Sequence, residues 1–571
     1  MRRAGPAPGA RRRRRDRDAA RAHPSRRARE HRTPARRGHT SLSVARAPQS
    51  PAVDPSAPIH ETRTMTHARI QIDPDDAVGA VSPRLFGAFV EHMGRCVYGG
   101  IHDPGHPSAD ADGFRGDVLE LVRELGATVV RYPGGNFVSG FRWEDSVGPR
   151  EQRPVRLDAA WHSIETNQVG LHEFAGWAER AGLEVMMAVN LGTRGAAEAA
   201  QLLEYCNHPG GTALSDERRA NGAPDPFGFR LWCLGNEMDG DWQIGHKTAH
   251  EYGRLAAETA RLMRFVDPTV ELVAAGSSSA DQPTFGDWER EVVRQTAGLV
   301  DHVSLHAYYE ETPGDLPSFL ASGVGLDRYI ATVAGILDEE EAALGDRMQG
   351  RRLGISVDEW NVWYLDRFNE RDKEPLLTGA WNVAPRIIED EYAVADAVVV
   401  GSLLNSLVRH TDRVSMANQA QLVNVIAPIR TEPDADAWRQ TIFWPFAITA
   451  ARARGAALRV AADCPTVPTA AYGDVPVVDV SATTTADGRV EVFCVNRDPE
   501  HPVEVTLAAG GVRAVRDAVV LTVPEGHDRF VTNTRDAQPV RPVPLGARVE
   551  DGEVRLTLPA LSWAAVGLDL A

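Results

Sequence analysis

No apolar run in the 571-residue chain approaches the ~20 residues that a helix needs to span a bilayer, which excludes an integral membrane protein. Cysteine is scarce. The five present, Cys96, Cys206, Cys233, Cys464 and Cys494, are odd in number and form no C-x-x-C pair, so free thiols in a reducing, cytoplasmic compartment are expected rather than a disulfide framework. Residues 1–64 lack the apolar stretch of ~7 to 15 residues that a secretory signal requires, so no export is expected. Repeats of solenoid type are missing as well. Charge is unevenly shared. The first 64 residues hold 17 Arg, no Lys and 5 acidic residues, a balance of +12, which leaves -29 of the overall -17 for the remainder. An acidic body of that kind repels nucleic-acid phosphates, so neither a nucleic acid nor a membrane is expected as a partner.

The Arg-rich segment, with Arg11 to Arg15 in one block among Pro, Ala and Ser, has too few large apolar residues to offset the entropy of ordering it. Disorder is expected over residues 1–64. The composition loosely suits a transit peptide or a nucleic-acid arm, and equally a start assigned upstream of the true one at Met65; no function is assigned to it.

From about residue 80 to 445, short apolar runs that end in Gly, Asn or Glu alternate with longer segments of helical period. Val118, Leu121, Val122 and Leu125 recur at helical spacing, Gly126 offers a cap, and Thr128–Tyr132 resumes as strand. Further strands are expected at Glu184–Asn190, Leu231–Leu234, Val270–Ala275, His302–Leu305 and Leu353–Val357. Near-continuous apolar strands suit a parallel sheet buried on both faces, and a span of this length suits a (β/α)8 barrel. Beyond about residue 450 the period falls to two, as in Val490–Phe493 and Val503–Leu507, the mark of half-buried antiparallel strands. The expected organisation is a strand at 67–80 that joins a C-terminal β-sandwich, a catalytic barrel at 81–447 and the sandwich proper at 448–571.

Polar side chains at the C-terminal ends of barrel strands point into the active site. Leu231–Leu234 runs on through Gly235 and Asn236 to Glu237, and Ile355–Val357 runs into Asp358 and Glu359. A Glu after a strand usually just caps the next helix. Here two of them, 122 residues apart and placed on strands four and seven, would face one pocket. Glycoside hydrolysis needs two carboxyls flanking a bond, one to protonate the leaving oxygen and one to attack the anomeric carbon. The nucleophile must stay ionised beside cations and donors, whereas burial and the neighbouring charge hold the acid protonated. Arg131 and Tyr308 are available to the nucleophile, although either could equally be a structural ion pair or a packed rim aromatic.

With these residues in place, the chain from about 67 to 571 resembles glycoside hydrolase family 51, the α-L-arabinofuranosidases. The resemblance lies in FGAFVEHMGRCVYGGI (Phe86–Ile101), RYPGGNFVSGFRWEDSVGP (Arg131–Pro149), WCLGNEMDGDWQIGHKT (Trp232–Thr248), DEWNVWY (Asp358–Tyr364) and AQLVNVIAPI (Ala420–Ile429). It implies a retaining enzyme with Glu237 as acid/base and Glu359 as nucleophile. It further implies that Glu91, Asn136, Asn236 and Gln421 hydrogen-bond the arabinofuranosyl ring, with Tyr308 and Arg131 supporting the nucleophile. Asn236, next to the acid, suits the 2-hydroxyl, and Trp161 and Trp363 suit aromatic walls, with ordinary rim packing as the alternative for both. A homo-oligomer, specifically a homohexamer, is also implied.

Other signals fall short. Gly240 to Thr248 nearly spells a phosphate loop, but His246 displaces the lysine; Pro133–Asn136 lacks the third glycine of a dinucleotide fingerprint. His302 and His306 would lie ~13 Å apart on a strand, too far to share one ion. No cofactor and no catalytic metal are expected. The function expected is release of terminal arabinofuranosyl groups from oligosaccharides; an endo-glucanase or β-xylosidase on the same scaffold, or a noncatalytic carbohydrate-binding protein, are the alternatives.

Overall fold

The computed structural model describes residues 66–485 and 487–571, so the expectations for the Arg-rich segment lie outside the described residues. The first strand, β1 (Thr66–Ala80), belongs to the C-terminal sheet. The barrel begins with β2 (Gly87–Phe89) and β3 (Val129–Tyr132), is interrupted by a hairpin of β4 (Arg156–Asp158) and β5 (Ser163–Glu165), and continues through β6 (Glu184–Val189), β7 (Leu231–Leu234), β8 (Glu271–Ala274), β9 (His302–Tyr309), β10 (Gly354–Val362) and β11 (Val414–Gln419). Its eight parallel strands close in the order β2, β3, β6, β7, β8, β9, β10, β11, with β11 pairing back to β2. Among the described residues, no helix is long and apolar enough to cross a membrane.

Strand period two separates the barrel's contents. Val129, Met186, Ala188, Leu231, Cys233, Val273 and Met416 form a small apolar plug inside, while their neighbours Val130, Val185, Met187, Trp232, Leu234 and Leu272 pack outward under the helices. Each strand is therefore buried on both faces, which is why it reads as continuously apolar. The helix before β3, Gly116–Leu125, buries Val118, Leu121, Val122 and Leu125 and stops at Gly126, whose φ of 76° only glycine adopts without strain.

Two strands run further than expected. β9 continues to Tyr309 and β10 to Val362, so Tyr308 and Glu359 lie within strands instead of after them. A bulge on β10 explains the second. Ser356 pairs with Ser304 and Glu359 with His306, a step of three residues on β10 against two on β9, and the same mismatch recurs toward β11 between Val357–Ala417 and Trp360–Gln419. The extra residue breaks the alternation and lets the consecutive Asp358 and Glu359 both reach the barrel interior.

The C-terminal part is a ten-stranded sheet in which β1 lies between Ala456–Asp463, antiparallel to it, and Val503–Ala508, parallel to it. The sheet folds over so that its two ends meet around a core of Ile70, Ile72, Val480, Val492, Val505, Leu556, Val566 and others. One expectation needs correction: the strand Arg489–Asn496, holding Val490–Phe493, is buried on both faces after its first residue. Val490 and Val492 enter the sandwich core, whereas Phe493 and Val495 pack on the barrel side against helix Val394–Arg409. Trp563 closes the same junction over Gly401, where a Cβ would lie 2.1 Å from the indole. Arg409 binds Asp479 at 2.8 Å across it. The expected division at 447/448 cuts the helix Phe443–Arg452. Because Ile70 is fully buried in the sandwich, Ile70→Ala is expected to cost about 2–5 kcal/mol. Thermal melts should show the loss, while kcat/KM measured well below the transition stays at the wild-type value.

Candidate active site

The chemistry-bearing side chains collect at the C-terminal end of the barrel strands. Arg131, on β3, is the hub: its Nη1 donates to Glu359 Oε1 at 2.7 Å, its Nη2 donates to Asn236 Oδ1 at 2.7 Å, and its Nε lies 3.7 Å from Asp358 Oδ2. Burial by itself would make this guanidinium easier to deprotonate, but Asp358 and Glu359 outweigh it and keep it charged. Because Arg131 occupies the Asn236 carbonyl, the amide NH2 is the end left to donate, and one of its N–H groups is directed at Asn136 Oδ1 at 3.4 Å.

Glu237 stands three residues beyond β7 at φ 42°, a left-handed conformation that costs a non-glycine residue of order 1 kcal/mol or more. Its carboxylate receives the Trp242 indole N–H at 2.8 Å on Oε2 and contacts His306 Nδ1 at 2.8 Å on Oε1. Glu359 accepts the Tyr308 hydroxyl at 2.7 Å on Oε2, and His306 Nδ1 is 3.7 Å from the same oxygen. One carboxylate oxygen of each glutamate and a nitrogen of His306 lie within 4.8 Å of one another.

The burial of the two glutamates is not divided as expected. Glu359, at 6% exposure, is no less enclosed than Glu237 at 9%. Burial pushes the Glu359 carboxyl above its ordinary range, His306 and Arg131 oppose that, and the charge of Glu237 adds to it. The hydrogen bond from the Tyr308 hydroxyl also favours the ionised form of Glu359. His306 is itself fully enclosed, which disfavours its charge, but Glu359, Asp358 and Glu237 raise it well above the usual histidine range.

The remaining expected residues form the far wall. Glu91, just past β2, accepts from the Phe137 amide at 2.8 Å, from the Trp161 indole at 2.9 Å and from Gln421 Nε2 at 3.2 Å. Burial pushes its carboxyl up to about 8. Gly134 and Gly135 are explained by the same wall: a Cβ would meet Glu91 Cγ at 2.9 Å from the first and Glu91 Oε2 at 2.9 Å from the second. Trp363 stands edge-on to Tyr308, ring centroids 5.1 Å apart. Thus Glu91, Arg131, Asn136, Trp161, Asn236, Glu237, Tyr308, Glu359, Trp363 and Gln421 are brought together in one cluster of contacts.

Three contributors were not singled out from sequence. His306, set aside with His302 as a metal pair, bridges Glu237 and Asp358, whose Oδ1 lies 3.0 Å from Nε2; the available signal was its position two residues before Tyr308, on the same strand face. His302 is remote, at the other end of β9 beside Ser415. Asp358 enters through the bulge. Trp242, 51% exposed at the pocket edge, lies over Gly240, where a Cβ would be 2.5 Å from the ring.

The chain is similar to known proteins over most of its length. Residues 121–321 match the model of the α-L-arabinofuranosidase 1 domain, and residues 358–562 that of the α-L-arabinofuranosidase C-terminal domain. The chain is 53% identical over 507 residues, covering 88% of it and 75% of the relative, to an intracellular exo-α-(1→5)-L-arabinofuranosidase of Streptomyces lividans. It is 52% identical over 515 residues, covering 88% of it and 97% of the relative, to an exo-α-(1→6)-L-arabinofuranosidase of Bifidobacterium longum. A solved structure of a family 51 α-L-arabinofuranosidase from Bifidobacterium longum superposes with a TM-score of 0.84 at 45% identity, covering 88% of this chain and all of that one. With relatives this similar over 88% of its length and the same barrel and sandwich, the chain belongs to the family 51 α-L-arabinofuranosidases.

Proposed function

We propose that the protein releases terminal α-L-arabinofuranosyl groups from oligosaccharides by a retaining double displacement. The observation that carries the mechanism is the approach of one oxygen of Glu237 to one of Glu359 within 4.8 Å, closer to the ~5 to 5.5 Å between the carboxyls of retaining enzymes than to the ~6.5 to 9.5 Å of inverting ones. Glu359, aligned by Arg131 and Tyr308, attacks the anomeric carbon; Glu237 protonates the leaving oxygen, and a covalent glycosyl-enzyme forms. Glu237 then deprotonates a water that releases arabinose with retained configuration. The Asn236 amide, turned by Arg131, donates to the 2-hydroxyl, a contact that strengthens as the ring gains oxocarbenium character.

The buried, hydrogen-bonded group of Glu91, Trp161 and Gln421 supports exo action, because a ring seated against it would be capped on that side. The two relatives of nearly equal identity carry different linkages in their names, so the linkage preference of this chain is assigned to the rim rather than to the ring-binding residues. The word intracellular in relatives' names supports a cytoplasmic site of action, and a homohexamer rests on the family resemblance.

The test is Glu237→Ala. An acid/base role predicts a loss of about 10²–10⁴-fold on oligosaccharides, whose leaving groups need protonation, with much smaller loss of glycosylation on an activated aryl arabinofuranoside. Azide should restore turnover and yield the α-arabinofuranosyl azide. Equal losses on both substrates, unaffected by azide, would favour a noncatalytic sugar-binding role. Aryl xylosides and glucosides assayed in parallel should be turned over far more slowly; faster turnover of either would replace the arabinofuranosidase reading.

A further inference from the structure

Glu237, His306 and Glu359 offer two carboxylate oxygens and an imidazole nitrogen around one point. Zinc binds such atoms at ~2.0–2.2 Å, so the edges of its tetrahedron are about 3.3–3.5 Å. The distances from His306 Nδ1, 2.8 Å to Glu237 Oε1 and 3.7 Å to Glu359 Oε2, lie on either side of that edge. The outer contacts match those of a built metal site. His306 Nε2 is held by Asp358 Oδ1 at 3.0 Å, the carboxylate–histidine–metal arrangement; Trp242 holds the second oxygen of Glu237, and Arg131 that of Glu359. Once His306 has given up its proton, three carboxylates, Glu237, Asp358 and Glu359, face the single guanidinium of Arg131, and two negative charges are left for a divalent ion to neutralise. One nitrogen and two oxygens suit zinc, cobalt(II) or copper(II), not calcium or magnesium, which take six or more oxygens.

We propose that these three side chains bind a zinc-class divalent cation in place of the sugar, as an inhibitory site rather than a cofactor site. His306 Nδ1 gives its proton to solvent and its lone pair to the ion, and the fourth position opens to the pocket. Both glutamates are then tied up, so the ion competes with substrate; that consequence rests on the proposed function, whereas binding itself does not. The second cluster among the described residues, His106, Asp117 and Asp436, differs. Asp117 is already gripped by Arg115 Nε at 3.0 Å and Nη2 at 2.6 Å, so a guanidinium occupies the place of an ion.

Chelator-treated protein titrated with Zn²⁺ by calorimetry, and with Co²⁺ by visible absorption, tests the site. Glu237→Gln and Glu359→Gln, which preserve shape, should each weaken Zn²⁺ binding by at least about tenfold. His106→Ala should leave it unchanged, and L-arabinose should weaken it in proportion to its concentration. In the wild type, Zn²⁺ should raise KM without altering kcat, and EDTA should restore the original value. Zn²⁺ binding that survives both glutamine variants, that disappears with His106→Ala, or that ignores arabinose overturns the proposal. Absence of arabinofuranosidase activity in metal-free wild type would instead overturn the functional reading, with the binding titrations still deciding the site.

Discussion

Glu359→Gln is expected to lower kcat/KM on an aryl arabinofuranoside by at least about 10⁴-fold, equivalent to about 5.4 kcal/mol of transition-state stabilisation. The amide keeps the shape of the side chain and its contact with the Tyr308 hydroxyl, but it cannot form the glycosyl-enzyme. Arg131 remains neutralised by Asp358, 3.7 Å from its Nε, so the fold should persist and sugar should still raise the melting temperature. The loss should be insensitive to the leaving group, in contrast to Glu237→Ala, which is severe only where protonation is needed. This asymmetry assigns the two roles. A loss under tenfold, or the opposite dependence on leaving group, would reverse or remove the assignment.

Arg131→Met should damage both stability and rate. The guanidinium is 1% exposed and neutralises Asp358 and Glu359 from within the barrel, and removing one partner of a buried ion pair costs about 3–5 kcal/mol. Methionine supplies similar bulk, so lost charge rather than a cavity dominates. Denaturation by urea should shift to lower concentration accordingly. The rate effect has a definite sign with pH. Arg131 stabilises the ionised form of Glu359; without it the carboxyl holds its proton to higher pH, and the acidic limb of kcat/KM should move upward in pH. The substitution also releases the Asn236 carbonyl, so the amide no longer has one imposed orientation and discrimination at the 2-hydroxyl should weaken. An acidic limb that stays in place or moves down would show that Arg131 does not govern the nucleophile's ionisation.

Much of the molecule was legible from local pattern. The change from helical period to period two near residue 450 marks the passage from barrel to sandwich, because the two architectures expose their strands differently. Leu231–Leu234 could be read as a strand from four apolar residues bounded by Gly235, and Glu237 as a residue delivered to its end. The burial of Val490–Phe493 on both faces was not legible, since its second cover comes from helix Val394–Arg409, about 80 residues earlier in the chain.

Sequence by itself determined which residue types stand at the ends of which strands, and hence that two glutamates 122 residues apart could share a pocket. Only tertiary structure decided how they share it. The bulge that turns Asp358 and Glu359 inward together depends on pairing with both β9 and β11, and the ionisation of Glu359 depends on Arg131, His306 and Tyr308 arriving from other strands. Period and composition report neighbours along the chain; the field and register at a buried carboxyl are set by neighbours across it.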